Sequence, residues 1–141
     1  MSEPRRCLSR TSAPSKGSIM ATFRSFEEIH AWQKARVLAR DVYSVTRAGC
    51  FGRGQGLVSQ MRRASVSVMS NIAEGCERRS RREFARFIDI ARGSAGEVRA
   101  QLYVALDAGY VDEVTFKQLS MQATEISRML YGLGQHLRST A

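Results

Sequence analysis

Proline, histidine, cysteine, tryptophan and lysine are all scarce in this chain of 141 residues, and each shortage excludes something. The two prolines, Pro4 and Pro14, both lie near the start, so nothing after them is forced to break a helix. With only His30 and His136, a zinc site is not expected, and no Ser or Cys has an obvious histidine base for nucleophilic catalysis. Cys7, Cys50 and Cys76 are far apart and odd in number, which suggests neither a disulfide framework nor a metal cluster. No apolar run approaches the length of a membrane span, so a cytoplasmic protein with no membrane partner is expected. Gly49 to Gly56 is rich in glycine, but no strand precedes it and its spacing fits no phosphate-binding fingerprint. These shortages argue against an enzyme, a metal protein or a cofactor-binding protein.

What is present is arginine and helical periodicity. The formal net charge is +9 and the pI about 10.3, which favours a polyanionic partner such as nucleic acid or an acidic surface. The most informative stretch runs from Gln60 to Gly75. At about 100° per residue, Leu57, Met61, Ala64, Val68 and Ile72 fall on one stripe, and Val58, Val66, Met69 and Ala73 form a second band around Arg62. Apolar residues over half the circumference predict a helix with neighbours on two sides. The remaining arc carries Ser59, Arg63, Ser67, Ser70, Asn71, Glu74 and Arg78, whose small groups allow close backbone approach. Two readings compete for this arc. In one, Arg63 pairs with an acid on the next helix and Asn71 or Glu74 ties off the helix end; in the other, Arg62 and Arg63 contact phosphate.

Gln60-Met61-Arg62-Arg63-Ala64, Ser67 and Asn71-Ile72-Ala73-Glu74-Gly75, followed by Arg78, resemble the signature of the four-helix bundle proteins encoded in intervening sequences of bacterial 23S rRNA genes. Phe26 to Tyr43, with Trp32-Gln33-Lys34-Ala35-Arg36 and Leu38-Ala39, is similar to that family's first helix. Phe84, Phe87, Ala91, Gly93-Ser94 and Glu97 match its third. The resemblance covers roughly residues 26 to 137. This chain departs from the pattern at Met69, where the family usually has proline, and at Cys50-Phe51-Gly52-Arg53-Gly54, where it usually has a Phe-Pro-x-Glu type loop. The resemblance implies a ring-like homopentamer of poorly defined role. It extends to the accessory variability determinant proteins of diversity-generating retroelements, which implies a reverse transcriptase as a further possible partner.

Taken in order, residues 1 to 24 show no apolar period and read as a disordered basic tail, with Met20 an alternative start. Ser25 and Glu28 form a capping box for a first helix with Ile29, Trp32, Ala35, Ala39, Val42, Tyr43 and Thr46 on one face, ending at Gly49. The second helix spans about 56 to 77. Ser80 and Glu83 form another capping box for a third, about 81 to 108, with Phe84, Phe87, Ile88, Ala91, Ser94, Ala95, Val98, Leu102, Ala105 and Leu106 inward. Asp112 caps a fourth, about 113 to 138, with Phe116, Leu119, Ala123, Ile126, Leu130, Leu133 and Leu137 inward, leaving a short tail at 139 to 141. Helices of about 23 to 28 residues joined by short loops predict an all-α, antiparallel up-down-up-down bundle over residues 25 to 138.

That topology gathers charge at one pole: Arg5, Arg6, Arg10, Lys16 and Arg24, then Arg78, Arg79, Arg81, Arg82 and Arg86, and finally Arg138, against Glu27, Glu28, Glu74, Glu77 and Glu83. Arg81 and Arg82 sit in a first helical turn, where the macrodipole disfavours cations. Either they form an anion site or they are a solvated charge run partly neutralised by nearby glutamates. Folding the second helix against the third predicts an Arg63–Glu97 pair, leaving Arg62 near a subunit seam. The expected nucleic-acid contacts are Arg62, Arg78, Arg79, Arg81, Arg82 and Arg86; the expected structural polar residues are Arg63, Ser67, Asn71, Glu74 and Glu97. The functional expectation is a non-enzymatic, homo-oligomeric module that binds RNA or DNA. The rival is a protein–protein scaffold whose arginines meet an acidic protein.

Overall fold

The computed structural model describes residues 23–140; all but the last two residues of the expected N-terminal tail lie outside that range. Among the described residues there are four α-helices and no strand: α1 His30–Thr46, α2 Gln55–Glu77, α3 Arg81–Asp107 and α4 Glu113–Ser139. Each helix packs on the next, and α1 also packs on α4, which closes the set into a four-helix bundle. The core at its centre is aliphatic with few aromatics: Leu38, Val42, Met61, Val68, Ile72, Ile88, Leu102, Ile126, Leu130 and Leu137 are buried, with Phe84 among them. Each such side chain contributes about 1.5–3 kcal/mol when removed from water.

The expected inward faces of α3 and α4 hold throughout, with Phe87, Leu106 and Phe116 half-buried at the edges. α1 is turned only slightly from its expected face: Ile29, Ala35, Ala39, Val42 and Thr46 are buried as expected, and Ala31 and Leu38 join them in place of the two aromatics. Its buried residues are Ala31, Ala35, Leu38, Ala39, Val42 and Thr46, while Tyr43 is 39% exposed and Trp32 only packs against the margin. The inward series 31, 35, 38, 42, 46 is spaced four, three, four and four. The two large aromatics shift the apparent apolar face out of phase, because each can place a ring on an edge while keeping its polar tip wet.

Two ends are capped as expected. The Ser80 hydroxyl accepts from the Glu83 backbone N–H at 3.3 Å, and the Asp112 carboxylate accepts from the Thr115 N–H at 2.7 Å. The Ser25 box does not form. Residues Phe26–Glu28 make a 3-10 turn, α1 starts after Ile29, and the Glu28 carboxylate instead accepts from the Arg24 N–H at 2.9 Å. Hydrogen bonds from Thr115 hold the Asp112 carboxyl below its usual pKa of 3.8. A lowered folded-state pKa means stabilisation that is present above the unfolded value and lost as pH falls through the folded one. Asp112→Ala therefore lowers the melting temperature at neutral pH, and the gap to the parent closes on acidification below pH 4; thermal melts from pH 7 down to pH 2 check this.

The segment between α1 and α2 is not the flexible connection its glycines suggest. α1 has 17 residues, not the expected 23 or more, against 27 in each of α3 and α4, so it stops roughly 15 Å short of them. A 3-10 turn at Gly49–Phe51 fills the gap, with Phe51 1% exposed and its ring 5.1 Å from that of Tyr110 in the turn after α3. A Cβ at Gly54 would meet the far edge of the Tyr110 ring at 2.6 Å, so a side chain there requires that ring to shift. Gly109, at φ 77°, occupies the left-handed region that terminates α3.

Candidate nucleic-acid interface

α2 ends because Arg78 leaves helical geometry for an extended conformation, and α3 begins three residues later at Arg81 behind its Ser80 cap. The crossing is tight. A Cβ at Gly75 would meet Phe87 Cβ at 2.7 Å and Phe84 Cδ1 at 3.0 Å, so glycine is the residue that lets α2 close onto α3. The resulting turn presents five arginines from Arg78 to Arg86, and the structure divides them into two groups.

Arg78 and Arg81 are engaged. The Arg78 guanidinium donates to the Glu74 carboxylate at 3.0 Å and lies 4.9 Å over the Phe87 ring, and Arg81 donates to the Thr140 hydroxyl at the end of α4. The Arg138–Asp89 ion pair fastens α4 to α3 just beside it. Arg79, Arg82 and Arg86 are exposed and make no hydrogen bond or ion pair among the described residues. Arg82 and Arg86 are four apart on α3, a like-charge spacing that costs a few tenths of a kcal/mol, and Arg82 adds an unfavourable cation to the first turn. Chemically, three unneutralised guanidinium forks at a helix start suit phosphate oxygens.

The interior polar residues separate from this cluster. Ser67 and Ser94 hydroxyls hydrogen-bond at 2.8 Å across the α2–α3 seam, and the Asn71 amide donates to the Ser67 carbonyl at 2.8 Å and to its hydroxyl at 3.0 Å. Ser67 and Asn71 are thus tied into the α2–α3 seam by these hydrogen bonds. Glu74 is not an interior tie, since it turns outward to Arg78. The expected Arg63–Glu97 pair is absent, and both residues are exposed. The seam is held by the two serines, and Arg63 borders a cleft with Tyr43 of α1.

Arg62 is also distinct from the turn cluster. Its Nε donates to the Thr46 hydroxyl at 2.9 Å, and its guanidinium lies 4.6 Å over the Tyr43 ring, fastening the start of α2 to the end of α1. Thr46 in turn donates to the Val42 carbonyl at 2.7 Å. Periodicity marks Thr46 and Tyr43 only as core positions; their role depends on the register between α1 and α2, which no spacing within one helix reveals. Among the described residues, no helix is long and apolar enough to cross a membrane.

The family model for the 23S rRNA-intervening sequence protein matches residues 27–132. A solved structure of a protein with unknown function from the S23 ribosomal protein family of Bacteroides thetaiotaomicron is similar at 21% identity and a TM-score of 0.67. The likeness covers 73% of this chain and 96% of that one, and at this identity it speaks for the fold alone. No curated protein matches the chain. The family match spans the bundle from the 3-10 turn before α1 to the last third of α4, including the Gly75 crossing and the turn arginines, and this chain belongs to the 23S rRNA-intervening sequence protein family.

Proposed function

We propose that this chain is a non-enzymatic basic four-helix bundle that binds RNA or DNA as an accessory or scaffold factor, working as a homo-oligomer without cofactor or metal. The observation that carries the reading is the set of exposed arginines without a protein acid, Arg79, Arg82 and Arg86, at the start of α3. A soluble scaffold has no need to place cations where the helix dipole opposes them. An up-down-up-down course of the helices is part of the proposal. It is supported by the Arg62–Thr46 link at one end, by the Arg81–Thr140 link at the other, and by Lys34 meeting Glu125 while Asp41 meets Gln122. In a homo-oligomer such as the pentamer implied by resemblance, one basic turn per subunit would raise avidity for a long polyanion.

The alternative is a protein partner, a reverse transcriptase among the candidates, or a second copy held on an apolar face. The exposure of Tyr103, Val104, Val114 and Met121 favours it. Salt dependence separates the two. If the three unpaired turn arginines each neutralise a phosphate, affinity for duplex DNA falls with a log–log slope near −2.7, a loss of roughly 40-fold between about 50 and 200 mM salt. Titrating fluorescently labelled structured RNA and duplex DNA at those concentrations, with mass by light scattering on the same sample, checks it. An oligomer that binds neither at low salt refutes the nucleic-acid reading.

A further inference from the structure

The far end of α2 carries a second basic feature, independent of the α2–α3 turn. A cleft of about 330 Å³ opens between the end of α1 and the start of α2, lined by Tyr43, Gln55, Val58, Ser59, Arg62 and Arg63. No carboxylate is among its walls. We infer that this cleft is a binding site for a phosphate group, the phosphate of a nucleotide unit being the class of ligand it takes.

Four observations carry the assignment. Arg62 is pre-organised: its Nε is committed to Thr46 and its plane to the Tyr43 ring, so its terminal nitrogens are held at the cleft without partners of their own. Fixing a guanidinium beforehand removes part of the ordering cost of binding. Arg63 is exposed beside it and forms no ion pair, with Glu97 or any other acid, among the described residues. Gln55 and Ser59, one turn apart on the same wall, add uncharged donors whose side chains form no hydrogen bond among the described residues. Finally, α2 begins at Gly54 with no capping side chain and no acid in its first turn, so the positive end of its dipole at Gln55 is unopposed. Two forks, two neutral donors and a bare helix start converge on one concavity, a donor set suited to phosphate oxygens. Tyr43, 39% exposed, adds a ring edge beside which the rest of a nucleotide can lie.

The test uses the full chain, isotopically labelled, and follows the backbone amides of 55–63, those of 79–86 and the Arg62 Nε–H by NMR. Three probes are titrated: inorganic phosphate, adenosine 5′-monophosphate, and the dinucleoside monophosphate ApA, which carries only a diester. The expected result is saturable shifts at 55–63 with phosphate and the monophosphate, weakened at least tenfold in Arg63→Gln and unchanged in Arg82→Glu. Binding of ApA as well assigns the site to a polynucleotide backbone; binding of the monoesters alone assigns it to a free nucleotide or a phosphorylated strand end. Absence of saturable shifts at 55–63, or shifts equal in Arg63→Gln and parent, overturns the assignment. Arg63 is exposed and unpartnered, so its variant keeps the parent fold, and thermal melts confirm that. Loss of binding at the turn alone would leave this site standing, and the reverse also holds.

Discussion

The triple variant Arg79→Glu, Arg82→Glu, Arg86→Glu is expected to lose the nucleic-acid binding made at the α2–α3 turn at about 150 mM salt while melting no lower than the parent. Both halves of this result follow from the same geometry. The three side chains are exposed and pair with no acid among the described residues, so their removal breaks no ion pair there. Reversal replaces three phosphate attractions with three repulsions, and each attraction removed also takes about 0.9 from the salt slope. Meanwhile a glutamate at position 82 sits in the first turn of α3, where the dipole favours it by about 0.3–1 kcal/mol, and the Arg82–Arg86 repulsion along the helix is not worsened by changing both. Arg78 and Arg81 are left in place because they hold Glu74 and Thr140. Electrophoretic mobility shifts together with differential scanning calorimetry read both halves. A variant that binds as the parent does removes the turn from the interface, whereas one that melts far lower would mean that these arginines are structural.

Phe51→Ala is expected to have the largest effect on stability of any substitution outside the helices. The ring is 1% exposed, packs at 5.1 Å against Tyr110, and closes the end of the core that α1 is too short to reach. Truncating a buried phenylalanine costs about 3–5 kcal/mol through lost transfer energy and the cavity left behind. For a domain of this size that corresponds to a melting temperature lower by roughly 10–20 °C. Chemical denaturation and thermal melts of the purified variant measure it. A loss under about 1 kcal/mol would mean that the loop is as slack as its glycines suggest.

Phe51 also marks the limit of what local sequence encodes visibly. The four helices, their caps at Ser80 and Asp112 and the inward faces of α3 and α4 are legible because each is set by local spacing and side-chain chemistry. Even the Gly75 crossing is foreshadowed by the small residues on α2. What is not legible depends on register between elements. The slight turn of α1 from its expected face, the missing Ser25 cap, the seating of Phe51 against Tyr110 and the absence of an Arg63–Glu97 pair are all decided by how one helix meets another. The candidate site divides along the same line. That the turn is rich in arginine can be read directly, but which arginines stay free cannot, since Glu74, Thr140 and Phe87 have first to be placed around them.

The makeup of α1 has a consequence for how the molecule opens. Half of its six buried residues are alanine and the others are Leu38, Val42 and Thr46, whereas α3 and α4 bury Phe84, Ile88, Leu102, Ile126, Leu130 and Leu137. Peeling α1 away therefore exposes far less apolar surface than separating α3 from α4. Its remaining fastenings are peripheral: Lys34 to Glu125, Asp41 to Gln122 and Arg62 to Thr46. Local unfolding follows the cheapest interface, so α1 is the helix expected to open first, leaving α2, α3 and α4 together. Arg62 and Tyr43, which shape the cleft at the head of α2, belong to the joint between α1 and α2, and a ligand seated between them would act as its latch.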